Sequence, residues 1–268
     1  MGNVFVEATD VKIGRFIDTR FNLQDKEWGR EQYQLEHIDG SIYWDLEKDL
    51  SDLSSTEGRH PMPSKLQLQQ LFQQSGLTYE DTIYVYDQGG APFAARAWWM
   101  LKYANFPKVY IVNGGFTALK EAGFTVSSEE PTFQSSTLTV EWNDAIYVNR
   151  QHVKNIVDGV IHAKLLDARA AIRYRGEHET IDKVAGHIPT AINFDWEQLK
   201  EGASLHFNDE LLNVVDKSDD VVVYCGSGVT ASPLYAILAD AGYKNLKLYV
   251  GSFSDWINHY EVETGDNK

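Results

Sequence analysis

Short apolar runs rich in β-branched and aromatic residues alternate along this chain with stretches of helical spacing. Ile83-Tyr84-Val85-Tyr86, Val109-Tyr110-Ile111-Val112, Val221-Val222-Val223-Tyr224 and Leu246-Lys247-Leu248-Tyr249 read as strands. Apolar residues at helical intervals mark residues 67–74, 94–103, 148–158 and 232–241 as helices. Strands alternating with helices predict an α/β architecture around a mainly parallel sheet.

The pattern occurs twice. Phe16-Ile17-Asp18-Thr19-Arg20 matches Leu165-Leu166-Asp167-Ala168-Arg169, and Glu36-His37-Ile38-Asp39-Gly40-Ser41-Ile42 matches Gly186-His187-Ile188-Pro189-Thr190-Ala191-Ile192. Ile83-Tyr84-Val85-Tyr86-Asp87-Gln88-Gly89-Gly90 pairs with Val221-Val222-Val223-Tyr224-Cys225-Gly226-Ser227-Gly228. Val109-Tyr110-Ile111-Val112-Asn113-Gly114-Gly115-Phe116 pairs with Leu246-Lys247-Leu248-Tyr249-Val250-Gly251-Ser252-Phe253. Four blocks in one order, about 140 to 150 positions apart, imply a duplicated unit of ordinary domain size. The polar stretch from Ser127 to Ser136 has little periodicity and reads as a connection. The expected organisation is a first domain at 1–125, a linker at 126–145 and a second domain at 146–268.

Composition narrows the partners. With 43% hydrophobic residues and seven Trp in 268 residues, the chain can bury a large core. It has no run of roughly 18 apolar residues of the kind that spans a membrane. The opening residues lack a signal-peptide plan, and Val6 stands where a myristoylation motif takes Ser or Thr. A net charge of −15 argues against nucleic acid or an anionic membrane as partner. It also requires a local positive site for any small anionic substrate. A single cysteine excludes an internal disulfide and fits a reducing, cytoplasmic setting.

That cysteine, Cys225, follows a predicted strand and opens a glycine-rich loop that runs into a predicted helix. Backbone N–H groups of such a loop and the positive end of a helix favour negative charge, and the thiolate is the reactive form of a thiol. A lone cysteine is more often buried and inert. Two glycines, a serine and a threonine directly after it point instead to a reactive loop. Ligands of open parallel sheets gather beyond the carboxyl ends of the strands, so the loops after Tyr86 and Tyr224 are equivalent sites. Only the second carries a nucleophile, because Asp87 stands at the cysteine position of the first.

These blocks resemble the two-domain rhodanese-type sulfurtransferases over essentially the whole chain. The loop Cys225-Gly226-Ser227-Gly228-Val229-Thr230 is similar to that of the mercaptopyruvate sulfurtransferase group. Vertebrate-type thiosulfate sulfurtransferases place basic residues where Gly226 and Ser227 stand. Further marks are Asp167-Ala168-Arg169, Arg173-Tyr174-Arg175-Gly176, Gly186-His187-Ile188-Pro189 and the segment from Tyr249 to Trp256. The resemblance implies an α/β fold of two tandem rhodanese-like domains, each a mainly parallel sheet flanked by helices, with the N-terminal copy catalytically inactive. It also implies a reaction in which Cys225 takes sulfur from a small anionic donor, 3-mercaptopyruvate or thiosulfate, as a persulfide. The outer sulfur passes to a thiol such as thioredoxin, or to cyanide, by two-step covalent catalysis without metal or cofactor. N–H groups of Gly226, Gly228, Val229 and Thr230 would hold the persulfide's charge; Thr230 also suits a helix cap.

The resemblance further implies supporting residues. Arg173 matches the substrate-binding arginine, whose guanidinium can grip a carboxylate or sulfonate with two hydrogen bonds; an ion pair with Glu177 or Glu179 is the alternative. The mercaptopyruvate enzymes bring a second arginine about nine residues on, where this chain has Asp182 and then Lys183, the latter a possible substitute. Ser227 and His60 match a serine and a first-domain histidine that form a relay with an upstream acid, here Glu47 or Asp49. A structural role for His60 in a Pro-rich turn stands beside this. His37 and His187 recur in both units and are expected to serve the fold, as are Asp18–Arg20 and Asp167–Arg169. Trp98 and Trp99 read as helix packing or a domain interface. Cysteine phosphatases need an arginine at position 231, which is alanine. A non-catalytic sulfur-carrier or binding module is the remaining alternative.

Overall fold

A computed structural model describes residues 4–267. In the first half, strands β1 (Phe5–Glu7), β2 (Arg15–Asp18), β3 (Ile42–Tyr43), β4 (Thr82–Tyr86) and β5 (Lys108–Asn113) form a parallel sheet in the order β1-β5-β4-β2-β3. In the second half, β6 (Tyr147–Val148), β7 (Lys164–Asp167), β8 (Ile192–Asn193), β9 (Val221–Tyr224) and β10 (Leu246–Tyr249) form another in the order β6-β10-β9-β7-β8. Position for position, the two orders are the same. The duplication in the sequence is therefore a duplication of topology.

Residues that recur in both units support the fold in both. Arg20 and Arg169 each grip the aspartate two residues earlier, and each also donates to a backbone carbonyl, of Glu36 and Gly186 respectively. His37 and His187 stack on Tyr33 and Tyr174 with ring centroids 3.9 and 3.8 Å apart. All four charged residues and both histidines are buried. Identical contacts in two loops, only one of which holds a thiol, are structural contacts.

The predicted helices form with small shifts. The first is Lys65–Gln74, opened by a capping box between Ser64 and Gln67. The helix expected from Val148 starts at Arg150, because Val148 pairs with Tyr249 as strand and Asn149 caps the helix through His152 N–H. Two helices follow the equivalent loops: α1 (Phe93–Tyr103) after β4 and α2 (Ala231–Asp240) after β9. They meet across the domain boundary, where Tyr235 lies against both Trp98 and Trp99. One continuous cluster of buried side chains runs from Ile17 and Leu68 through these helices to Leu166 and Val223. Beyond Val126–Ser127, which pairs with His37–Ile38, the connecting segment has no regular structure until Asp144. It is pinned to the first domain by Ser136 N–H on Gln73 O and Val140 N–H on Gln69 Oε1.

Each domain also sends the segment after its short edge strand across to the other. After β3, Gly58 and Arg59 settle on the second domain, with Arg59 N–H donating to Ser254 Oγ at 3.0 Å. After β8, a hairpin reaches the first domain, where Leu205 N–H donates to Asn113 Oδ1 at 2.8 Å and Ala203 covers Gly89. The exchange places first-domain residues over the Cys225 loop and second-domain residues over its counterpart. Because the core is shared, Tyr235→Ala is expected to cost about 3 kcal/mol while leaving a single unfolding transition in urea. Two separated transitions would show that the halves unfold independently.

Candidate active site

Cys225 directly follows β9, and its side chain is buried at the floor of the loop. Its Sγ accepts the Gly228 N–H at 3.1 Å. Its own N–H donates to Ser252 Oγ at 3.2 Å, and that hydroxyl donates to Tyr249 O. Ser252 holds a φ of 55°, a left-handed conformation that a non-glycine residue keeps only where its surroundings enforce it. Gly228, at φ 76°, has no room for a side chain: a Cβ there would lie 2.3 Å from Val250 O. The loop thus curls tightly enough to turn an N–H onto the sulfur.

The first-domain counterpart shows what such a loop attracts. Asp87 is buried in the cysteine's place, its carboxylate accepting from Gly89 N–H at 2.8 Å and Ala94 N–H at 3.1 Å. Burial pushes its pKa up to about 6, against the pull of those N–H bonds. An internal carboxylate takes two N–H groups in the first domain; the thiol takes one in the second.

His60 and Ser227 meet as the resemblance implies, with His60 Nδ1 2.8 Å from Ser227 Oγ. Burial, followed by the nearby charges of Arg96, Arg59 and Lys26, lowers the His60 pKa to about 3, so the ring is neutral at ordinary pH. The expected acid is absent from the relay. Glu47 pairs with Lys26 at 2.9 Å, and Asp49 accepts the Asp45 N–H at 2.7 Å, so the contact ends at His60.

Arg173 lies near Gly226, with both terminal nitrogens 3.7 Å from where a Cβ would stand. Its guanidinium is bound by Glu179 through two 3.0 Å bonds and by Asp182 at 2.9 Å. Of the alternatives foreseen for its partner, Glu179 is present, while Glu177 pairs with Arg175. The expectation that Lys183 supplies a second positive charge is corrected. Lys183 is exposed and donates to Asn258 Oδ1 at 2.7 Å, whereas its neighbour Asp182 turns inward. The second charge is Arg59. Its Nη2 comes within 2.6 Å of the virtual Gly226 Cβ, and its Nη1 pairs with Asp182. A side chain at 226 would have to displace this guanidinium. Thr230 precedes the first turn of α2 but makes no side-chain cap bond, and Val229 is part of the buried core.

Two of these residues escape the sequence reading. Arg59 stands directly beside His60 in the motif Gly58-Arg59-His60-Pro61, yet nothing local indicates where its side chain points. Arg96 sits in the apolar run of α1, and a charge in that setting was a visible signal. It is buried and donates to Leu50 O and His60 O, holding the strap that carries Arg59 and His60. Burial lowers its pKa to about 10, and the Cys225 charge opposes that shift.

Two α/β domains with a thiol in the strand-to-helix loop of the second define a class. The chain belongs to the rhodanese family, whose rhodanese-like domain matches residues 6–122 and again 149–259. A Pseudomonas aeruginosa protein named as a probable 3-mercaptopyruvate sulfurtransferase is 36% identical, over 93% of this chain and 92% of its own. A Mycobacterium tuberculosis protein with the provisional name thiosulfate sulfurtransferase is 34% identical, over 90% of this chain and 86% of its own. The solved 3-mercaptopyruvate sulfurtransferase of Leishmania major superposes with a TM-score of 0.83 at 28% identity, covering 97% of this chain and 75% of that one. These relatives are named as sulfurtransferases. No helix among the described residues is long and apolar enough to cross a membrane.

The state of His60 makes a pH prediction. Its folded pKa lies below the unfolded value near 6.5, so its stabilising contribution is fully present above pH 6.5 and lost as pH falls towards 3. His60→Gln is expected to flatten urea-derived stability between pH 6.5 and 3.5. An unchanged slope would place the loss on other groups.

Proposed function

We propose that this protein is a sulfurtransferase that carries sulfur as a Cys225 persulfide, with 3-mercaptopyruvate as the favoured donor. One observation carries the reading: Cys225 Sγ lies under an inward-turned N–H, in a loop roofed by guanidinium groups from both domains. The thiolate attacks the donor sulfur, the carbon–sulfur bond breaks, and its electron pair goes to carbon as the enolate of pyruvate. The proton lost by the donor thiol ends on that carbon, leaving a deprotonated persulfide and pyruvate. In this reading Ser227, hydrogen-bonded to neutral His60, passes this proton. The loop N–H groups offset the negative charge of the persulfide. A thiol or cyanide then takes the outer sulfur and frees the thiolate.

Thiosulfate is the second reading, favoured by the mycobacterial relative's name. It loads the same persulfide and releases sulfite. The first domain, with Asp87 in place of sulfur, carries no sulfur itself and supplies Arg59 and His60 to the roof of the second loop. A persulfide carrier with one cysteine suits a reducing compartment, in keeping with a cytoplasmic setting.

Mass spectrometry after incubation with each donor is expected to find one added sulfur on Cys225, and Cys225→Ser is expected to abolish transfer. An unmodified Cys225 with both donors would defeat the proposal. Arg173→Ala is expected to raise the donor KM about tenfold or more, the loss of a charge-assisted bidentate contact, with a smaller change in kcat. An unchanged KM would place the anion site elsewhere.

A further inference from the structure

We propose that Asp182 sets the charge selectivity of the donor site, matching it to a monoanionic α-keto carboxylate and against a dianion such as thiosulfate. The inference rests on the sulfurtransferase reading and concerns which donor the site accepts. The Asp182 side chain is only 3% exposed, and its carboxylate is divided between the domains. One oxygen pairs with Arg59 Nη1 from the first domain; the other accepts from Arg173 Nη2 in the second, at 2.9 Å. Asp182 therefore fixes the spacing of the two guanidinium groups over Gly226 and cancels part of their charge.

The cancellation is close to complete. Arg59, Arg169 and Arg173 face Asp167, Glu179 and Asp182, three guanidinium groups against three carboxylates. Among the described residues, Arg169 Nη1 lacks a hydrogen-bond acceptor and lies 3.7 Å from Glu179 Oε2. The remaining nearby cation, Arg96, is buried beneath the strap, where its guanidinium is committed to Leu50 O and His60 O. An arriving monoanion can exchange hydrogen bonds with Asp182 on the two guanidinium groups. A second negative charge finds no further guanidinium free to bind it and faces the Glu179 and Asp182 carboxylates, and like charges at this range repel strongly in a partly desolvated site. Asp182 touches the guanidinium groups, not the donor, and so acts as a positioning residue.

The test compares wild type, Asp182→Asn, which keeps the shape and one acceptor, and Asp182→Glu, which keeps the charge. The ratio of kcat/KM for thiosulfate over mercaptopyruvate is expected to rise roughly tenfold in the Asn variant, the scale of one uncompensated charge in a half-buried site. The change should lie mainly in the thiosulfate KM, and the Glu variant should return the ratio towards wild type. A second readout needs no turnover: protection of Cys225 from iodoacetamide by pyruvate or by sulfate at matched ionic strength. Wild type should be protected by pyruvate more than by sulfate, and the Asn variant should close that gap. If sulfate and pyruvate protect both proteins in the same proportion, or the Glu variant shifts as far as the Asn variant, the inference is overturned. Failure of the sulfurtransferase reading appears separately, as wild-type Cys225 that gains sulfur from neither donor.

Discussion

A parallel strand that ends in a glycine loop before a helix turns several backbone N–H groups towards one point, and this protein is organised around what occupies that point. In the first domain it is the Asp87 carboxylate, which accepts from Gly89 and Ala94. In the second it is the sulfur of Cys225, which accepts from Gly228. The same backbone trap serves as a closed internal contact in one copy and as the seat of the thiol in the other. Gly228 must remain glycine and Ser252 must stay in its left-handed conformation for the second seat to exist.

A buried thiol is useful only if an anion can be brought to it, and an acidic chain must build the means locally. The crossing straps are the solution. The segment after β3 carries Arg59 and His60 onto the second domain, Arg96 anchors it from below, and the hairpin after β8 closes the opposite loop in return. The Cys225 loop therefore belongs to the interface, and the rigidity of that interface comes from the core shared through α1 and α2. Compensation by Glu179 and Asp182 lets clustered arginines exist in a partly buried site without repelling one another.

Much of this was legible along the chain. The alternation of strands and helices, the duplication and the glycine-rich loop after Tyr224 each appear where the pattern put them. The meeting of His60 with Ser227 was foreseen through family resemblance, although the two are 167 positions apart. The acid of the relay and the role of Lys183 were not. Both depend on which way a side chain leaves an irregular segment: Asp49 turns to the Asp45 N–H, Asp182 turns inward and Lys183 outward. Irregular backbone has no period from which such directions can be read.

By itself the sequence determined the alternation of strands and helices, its duplication and the glycine-rich loop that carries the single cysteine, because hydrophobic period and loop composition are local properties. The tertiary structure alone decided that Arg59 from the first domain is the second guanidinium over Gly226, and that Asp182 holds it beside Arg173. The physical reason is that a roof over an anion site is set by the crossing of two domains, and its charge balance by groups that meet only once both have folded.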